Sequence, residues 1–426
     1  MNHQPKSSTS SSIVSIPLNQ RSSKSKSTLR LIIFNIYFFV CIVTLHVTQL
    51  VVFPFVFCSH NLAQISLKYN RLAKETFTII LVSITQIFGP TNLVITTDSN
   101  LDLGKLIKLD SNGKIKSIQL PRRSVIVANH QIYADWLYIW CLAYLANLHG
   151  SLVIILKASL KWVPIVGPAM QLFSFIFLNR SWSSDKSSLS EQLDKLADQA
   201  TRQDAIQSQS LDKLALLIFP EGTLVSPATR PLSKKYADKF GYSDLRHCLL
   251  PRSTGSLFCI RALSRKVPDL KLIDLTIGYP GIPPDGYGQD YYTLQSIFGY
   301  GHPPPEVHIH LRIIPVSEIP IGTSHLQQAS SDHEALGGMV DSTYEEVQEF
   351  DQWLREHWAK KDDMLAKFYK DGVMCEAPKE ADVLRRIQFK VELRGIWDSV
   401  RTIGLCVPGG ILIWIALLKL NHNEYT

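Results

Sequence analysis

The chain has no CxxC pair and no cluster of cysteine and histidine at metal-ligand spacing, although its 426 residues include seven cysteines and thirteen histidines. That argues against a structural zinc site and a dithiol redox pair. The cysteines (Cys41, Cys58, Cys141, Cys248, Cys259, Cys375, Cys406) are odd in number and scattered, and read as reduced and buried. Internal repeats are missing, as is any zinc-finger or nucleic-acid motif. The net charge of +7 is therefore left to an anionic membrane surface or an anionic substrate, and no nucleic-acid partner is expected. Charged residues are scarce, 19% against 46% hydrophobic, which is uneven for a plain soluble enzyme.

The scarcity is concentrated near the ends. From Leu31 to Cys58 there is no Lys, Arg, Asp or Glu, a run longer than the roughly 20 residues a bilayer-spanning helix needs. The Ser-rich tail before it carries Lys6, Arg21, Lys24, Lys26 and Arg30 with no acidic residue, which places it in the cytosol and predicts disorder. A secretory signal is disfavoured because the run starts late, is long, and lacks a small-residue cleavage site. A second apolar stretch, Phe77 to Ile95, is broken by Gly89-Pro90 and is open between spanning, re-entry and the interface. A third, Thr402 to Leu418, is at the short end of spanning length and contains Pro408-Gly409-Gly410, which leaves spanning and re-entry open.

Between about Arg122 and Val316, short β-rich runs alternate with helical ones, the pattern of an α/β domain. Strands are predicted at Ser124–Ala128, Leu152–Leu156, Ser174–Leu178, Leu214–Phe219, Leu272–Gly278 and Val307–Ile314. Helices are predicted at Ile132–Asn147, Lys186–Ile206 (with Ser184-Asp185 as its cap) and Thr254–Arg265. Tyr279–Pro305 is dense in Gly, Pro and Tyr and reads as a loop. A polar segment around Ser324–Ser342 precedes an amphipathic helix carrying Trp353, Trp358, Phe368 and Tyr369, which either packs on the domain or touches lipid.

Two strand-to-helix turns carry chemistry. Asn129-His130-Gln131-Ile132-Tyr133-Ala134-Asp135 ends one strand and begins a helix, where the C-terminal edge of an α/β sheet exposes side chains. An imidazole oriented by a carboxylate is a general base near neutral pH; on spacing alone, His130 and Asp135 read equally well as capping residues. Phe219-Pro220-Glu221-Gly222-Thr223 follows a second strand, with Gly222 permitting close backbone approach and Thr223 offering a hydroxyl. A tight turn is the plain alternative. Glu221 beside an anionic substrate suits only a sugar hydroxyl or an arginine partner.

Together the two motifs resemble NHxxxxD and FPEGT of the glycerolipid (1-acylglycerol-3-phosphate) acyltransferase family. Phe175-Ile176-Phe177-Leu178-Asn179-Arg180 and Leu275-Thr276-Ile277-Gly278-Tyr279-Pro280 are similar to its second and fourth motifs, in the same order. The runs NHQIYADWLYIW, ILKASLKWVPIVGPAMQLFSFIFLNR, LLPRSTGSLFCI and WLREHWAKKDDMLAKFY extend the resemblance, over roughly Pro121 to Tyr369, to the branch of lysocardiolipin and lysophosphatidylinositol acyltransferases, with fungal members most alike. One departure is Leu224, where many family members have Arg after FPEGT.

The resemblance implies an endoplasmic reticulum membrane enzyme that acylates an anionic lysophospholipid from acyl-CoA, with no other cofactor and no metal. It implies a mixed sheet flanked by helices, with N- and C-terminal membrane segments. The expected organisation is a basic tail over 1–30, anchoring helices over 31–98, the acyltransferase domain over 99–320, a helical extension over 321–398 and a hydrophobic segment with tail over 399–426. His130 would be the base and Asp135 its orienting partner. Asn129, Lys157, Arg180, Glu221, Gly222 and Thr223 would bind substrate, and Arg230 is a further candidate cation. Lysophosphatidylinositol is the leading acceptor, ahead of lysophosphatidic acid and lysocardiolipin. A CoA-independent transacylase and an inactive lipid-binding scaffold are the competing readings. A cytosolic His130 further requires the chain to return through Phe77 to Ile95 after a first crossing.

Overall fold

The computed structural model describes residues 14–21, 26–57, 60–98, 101–201, 213–322, 343–374, 383–404, 407, 408 and 411. Most of the basic tail, the polar segment 324–342, Cys58, Cys375, Cys406 and most of the apolar run 402–418 lie outside the described residues.

The strands are β1 (Asn92–Thr97), β2 (Ile107–Leu109), β3 (Ile115–Ile118), β4 (Arg123–Ala128), β5 (Leu152–Lys157), β6 (Ile176–Leu178), β7 (Leu214–Ile218), β8 (Lys271–Gly278), β9 (Glu306–Pro315) and β10 (Arg386–Lys390). The main helices are α1 (Lys26–Val52), α2 (His60–Phe88), α3 (Asp135–Leu145), α4 (Val166–Leu172), α5 (Trp182–Thr201), α6 (Arg230–Phe240), α7 (Ser253–Ser264) and α8 (Tyr344–Asp371). Eight strands form one mixed sheet in the order β10-β1-β9-β8-β4-β7-β5-β6, while β2 and β3 form a separate hairpin. The run β8-β4-β7-β5-β6 is parallel; β9 is antiparallel to β8, and β10 to β1.

Alternation along each strand feeds two cores. Ile126 and Ala128 of β4 pack with α2 and α3 on one face, while Val125 and Val127 pack with α5, α7 and α8 on the other. Because helices cover both faces, the central strands are buried throughout and read as continuous apolar runs. All six predicted strands are present. The sheet crosses two expected boundaries, since β1 lies before residue 99 and β10 after residue 320.

The second apolar stretch is not a membrane crossing. Ile79, Ile80, Leu81, Val82 and Ile84 of α2 are buried in the domain core, Gly89-Pro90 ends the helix, and the remainder is β1. The expectation failed because a core helix and a short span share a composition. Among the described residues one helix, Thr28–Val52 of α1, is long and apolar enough to cross a membrane, and 28% of its apolar window is buried. It runs antiparallel along α2. Arg30 donates to the Phe88 carbonyl at 2.7 Å, Tyr37 and Ser83 hydroxyls pair at 2.9 Å, and Gln49 donates to Asn70 at 3.3 Å.

Helix α8 packs on the domain, settling the choice between packing and lipid for its inner face: Phe350, Leu354, Trp358, Leu365 and Phe368 are buried. Thr343 and Glu346 form a reciprocal capping box at its start, and Gly372 ends it in the left-handed region at φ 75°. Predicted Ser184-Asp185 do not cap α5 from outside. The helix begins two residues earlier, and Asp185 in its first turn reaches back to accept from Asn179 and Ser181.

Candidate active site

Strand pairing sets the site. Val127 of β4 lies beside Ile218 of β7, Ala128 beside Leu275 of β8, and Lys157 of β5 beside Leu178 of β6. The parallel strands therefore deliver His130, Glu221, Tyr279, Lys157 and Arg180 to one sheet edge, where ligands bind in open α/β sheets.

The His130 turn is wrapped around Asp135, which is fully buried. Its Oδ2 accepts from the backbone N–H of Gln131 at 2.6 Å and of Ile132 at 3.1 Å, and lies 2.7 Å from His130 Nδ1. Its Oδ1 accepts the Tyr279 hydroxyl at 2.5 Å. A carboxylate so held fixes the Nδ1–H tautomer and leaves Nε2 to act as a base. The imidazole is stacked on Phe219, with centroids 4.4 Å apart. Burial pushes the Tyr279 phenol well above its usual value, and the neighbouring Asp135 charge adds to this, so the hydroxyl stays a donor.

Asn129 is buried and is not among the residues that line the cavity described below. Its amide donates to the Ile277 carbonyl at 2.9 Å and accepts the Ile277 N–H at 2.7 Å, prolonging the β4–β8 pairing by a side chain. Its side chain is a splice between strands.

Glu221 is also turned inward. Oε1 accepts from the His130 N–H at 3.2 Å and from Trp358 Nε1 at 3.3 Å, and Oε2 accepts the Leu249 N–H at 3.0 Å. Burial pushes its carboxyl up to about 8 while these three donors favour the charged form. With both oxygens engaged inside the protein, Glu221 ties the FPEGT turn to the His130 turn while also lining the cavity described next. Gly222, at φ 70°, gives the turn a left-handed step that a side chain would strain. Thr223 lines the cavity described next.

Behind this edge lies a cavity of about 1140 Å³. Lys157, Arg180 and Arg252 line it alongside His130, and its apolar walls include Trp136, Trp140, Phe173 and Phe175. Ile42 and His46 of α1 also line it, so the apolar helix is part of its wall. Arg230 is placed otherwise. Its guanidinium donates to the carbonyls of Leu245, Arg246 and Cys248, the last at 2.8 Å, so it braces a loop.

Four residues at or behind the site escaped the sequence reading. Arg252 caps the start of α7 beside the FPEGT turn: its N–H donates to the Pro220 carbonyl at 2.8 Å, and a Cβ on Gly222 would lie 3.6 Å from its Cδ and Nε. Burial and the charge of Arg252 lower the Arg180 guanidinium, which marks the two cations as neighbours. Arg252 stands in the run LLPRSTGSLFCI, where Pro-Arg-Ser before a helix was the available signal. Tyr279 lies in the fourth motif. Trp358 and Asp362 come from α8; Asp362 accepts from the N–H groups of Arg246 at 2.9 Å, His247 at 2.6 Å and Cys248 at 2.8 Å.

A His–Asp pair beside an apolar cavity that three cations also line is an arrangement able to activate a hydroxyl for group transfer. Residues 114–278 match the family model described as Acyltransferase. The chain is 30% identical over 390 residues to an uncharacterized acyltransferase of Schizosaccharomyces pombe, covering 91% of this chain and 98% of that protein. It belongs to the acyltransferase family. A 2-acyl-1-lysophosphatidylinositol acyltransferase of Saccharomyces cerevisiae is 32% identical over 328 residues, covering 72% of this chain and 76% of that one. Lysocardiolipin acyltransferase 1 of Danio rerio is 31% identical over 248 residues, covering 58% and 53%. The branch expected from the motifs is thus the one that the relatives occupy.

Proposed function

We propose that this acyltransferase transfers an acyl group from acyl-CoA to the hydroxyl of an anionic lysophospholipid, with lysophosphatidylinositol as the acceptor. The observation that carries the reading is the 2.7 Å contact between His130 Nδ1 and Asp135 at a cavity that is apolar within and cationic at Arg180 and Arg252. The name of the Saccharomyces cerevisiae relative supports the choice of head group.

In this mechanism His130 Nε2 removes the proton of the acceptor hydroxyl as its oxygen bonds to the thioester carbonyl carbon. The tetrahedral oxyanion collapses, the C–S bond breaks, and the imidazolium returns its proton to the departing CoA thiolate. Asp135 stabilises the imidazolium, and Tyr279 with two backbone N–H groups holds Asp135. Arg180 and Arg252, with Lys157, hold the acceptor phosphate. Arg252 lies against Gly222 and so supplies the cation that Leu224 does not. Acyl-CoA is a co-substrate, and the scheme uses no other cofactor. Since acyl-CoA is cytosolic and α2, buried in the core, does not bring the chain back, α1 attaches the enzyme to the cytosolic face of the endoplasmic reticulum membrane without crossing it.

The test supplies membranes containing the protein with a panel of lysophospholipids and acyl-CoA and reads the products by mass. Phosphatidylinositol formed only when acyl-CoA is present is the expected result. Product formed from a labelled phospholipid donor without acyl-CoA would make the protein a transacylase, and no product from any lysolipid would leave the scaffold reading.

A further inference from the structure

The cavity's apolar lining does not stop at its mouth. Leu160 and Val163, in the turn after β5, and Leu232 and Tyr236, on α6, line the cavity and are also exposed to solvent. Beyond them stand Trp162, 79% exposed, and Phe240, 48% exposed, neither of which lines the cavity. Leu232, Tyr236 and Phe240 recur every four residues and so share one face of α6, while Ala237 on another face is buried. Contiguous exposed apolar surface of this kind marks an interaction site.

Its polar companions are cationic. Lys161 Nζ lies 5.8 Å from the Trp162 ring centroid and Lys239 Nζ 5.1 Å from that of Phe240. Lys234, Lys235 and Lys239 crowd α6 against one acidic residue there, Asp238, which pairs with Lys234 at 3.2 Å. Exposed Trp, Tyr and Leu interleaved with lysines that lay their stems along apolar surface match the headgroup layer of a membrane.

We infer that this rim, formed by the turn at Leu160–Val163 and the outer face of α6, is a membrane-binding surface separate from α1 that seats the cavity mouth on an anionic leaflet. The inference rests on the proposed lysophospholipid activity for its purpose: the product carries two acyl chains, and a mouth sealed against lipid lets it leave without crossing water. The lysines choose an anionic bilayer over a second copy of this chain, whose matching rim would repel them.

The test uses the full-length protein bound to vesicles of phosphatidylcholine and phosphatidylserine with brominated acyl chains. Quenching of tryptophan fluorescence by these lipids should fall in Trp162→Phe. Lys161→Gln with Lys239→Gln should raise the acceptor KM for lysolipid held in such vesicles by about tenfold while leaving the rate on a water-soluble short-chain lysolipid unchanged. Undiminished bromolipid quenching in Trp162→Phe would overturn the inference, as would equal losses on both substrates, or a dimer in detergent that Trp162→Glu splits. Quenching requires no turnover, so a protein inactive toward every lysolipid would sink the functional reading and leave this one to stand or fall by fluorescence.

Discussion

Trp358, on a helix outside the region matching the family model, donates its indole N–H to Glu221, whose same oxygen accepts the backbone N–H of His130. One carboxylate thus links α8 to the His130 turn. Asp362, one turn later on α8, holds the loop from which Leu249 donates to Glu221. Gln131 adds a third tie, donating to the His247 carbonyl at 2.8 Å. The site is built on the sheet edge and clamped from α8.

Asp362→Asn should loosen that clamp. An amide cannot accept on its nitrogen, so at least one buried N–H of the loop loses its partner, at a cost of about 1–3 kcal/mol. The expected outcome is a lower melting temperature in detergent with kcat reduced more than acceptor KM. An unchanged kcat would show that the loop holds its place without Asp362.

Removing the Tyr279 hydroxyl tests the support of Asp135. Tyr279→Phe deletes a hydrogen bond to a charged group, worth about 1.5–3 kcal/mol, and leaves the ring in the core. Turnover should fall by roughly 10- to 100-fold, with the pH–rate profile displaced, because the pairing of Asp135 with His130 is altered. A profile superimposable on the wild type would reduce Tyr279 to a packing residue.

Arg252→Ala should raise the KM for the phosphorylated acceptor by about 10-fold or more, the worth of one charge-assisted hydrogen bond. Adding Arg180→Ala should raise it further. Equal KM values for wild type and Arg252→Ala, measured with saturating acyl-CoA, would return the phosphate to Arg180 and Lys157.

Acid should release α8 from the sheet. Burial of Asp274 opposes its ionisation, but Lys361 and His357, whose Nε2 lies 2.8 Å away, outweigh this and hold the carboxyl well below its ordinary value. The unfolded chain therefore binds the more protons. The pairing contributes stability that is fully present above about pH 4 and is lost as pH falls through the lower folded value. Asp274→Asn leaves buried Lys361 without its counter-charge, about 3–5 kcal/mol. The melting-temperature gap between variant and wild type should be widest near neutrality and narrow below about pH 4; a gap independent of pH would contradict the assignment.

These residues also show what the sequence could disclose. Six strands were legible because each is a short apolar run between breakers, and His130 with Asp135 because both lie in one local turn. β10 was illegible because Arg386, Gln388 and Lys390 face out on an edge strand, leaving two apolar residues to mark it. β1 was hidden in an apolar run continuous with α2. Arg252, Tyr279, Trp358 and Asp362 reach the site through packing between distant segments, which no local spacing encodes. Glu221 was found by its motif, yet its inward direction depends on Trp358, 137 positions away.

The central claim is that His130 is the base for acyl transfer to a lysophospholipid, and a single comparison tests it most directly. Purified full-length protein and its His130→Ala variant would be given lysophosphatidylinositol and acyl-CoA, with release of the CoA thiol followed over time. The account predicts a variant that melts as the wild type does and turns over about 10²- to 10⁴-fold more slowly. Wild-type turnover in His130→Ala would contradict it.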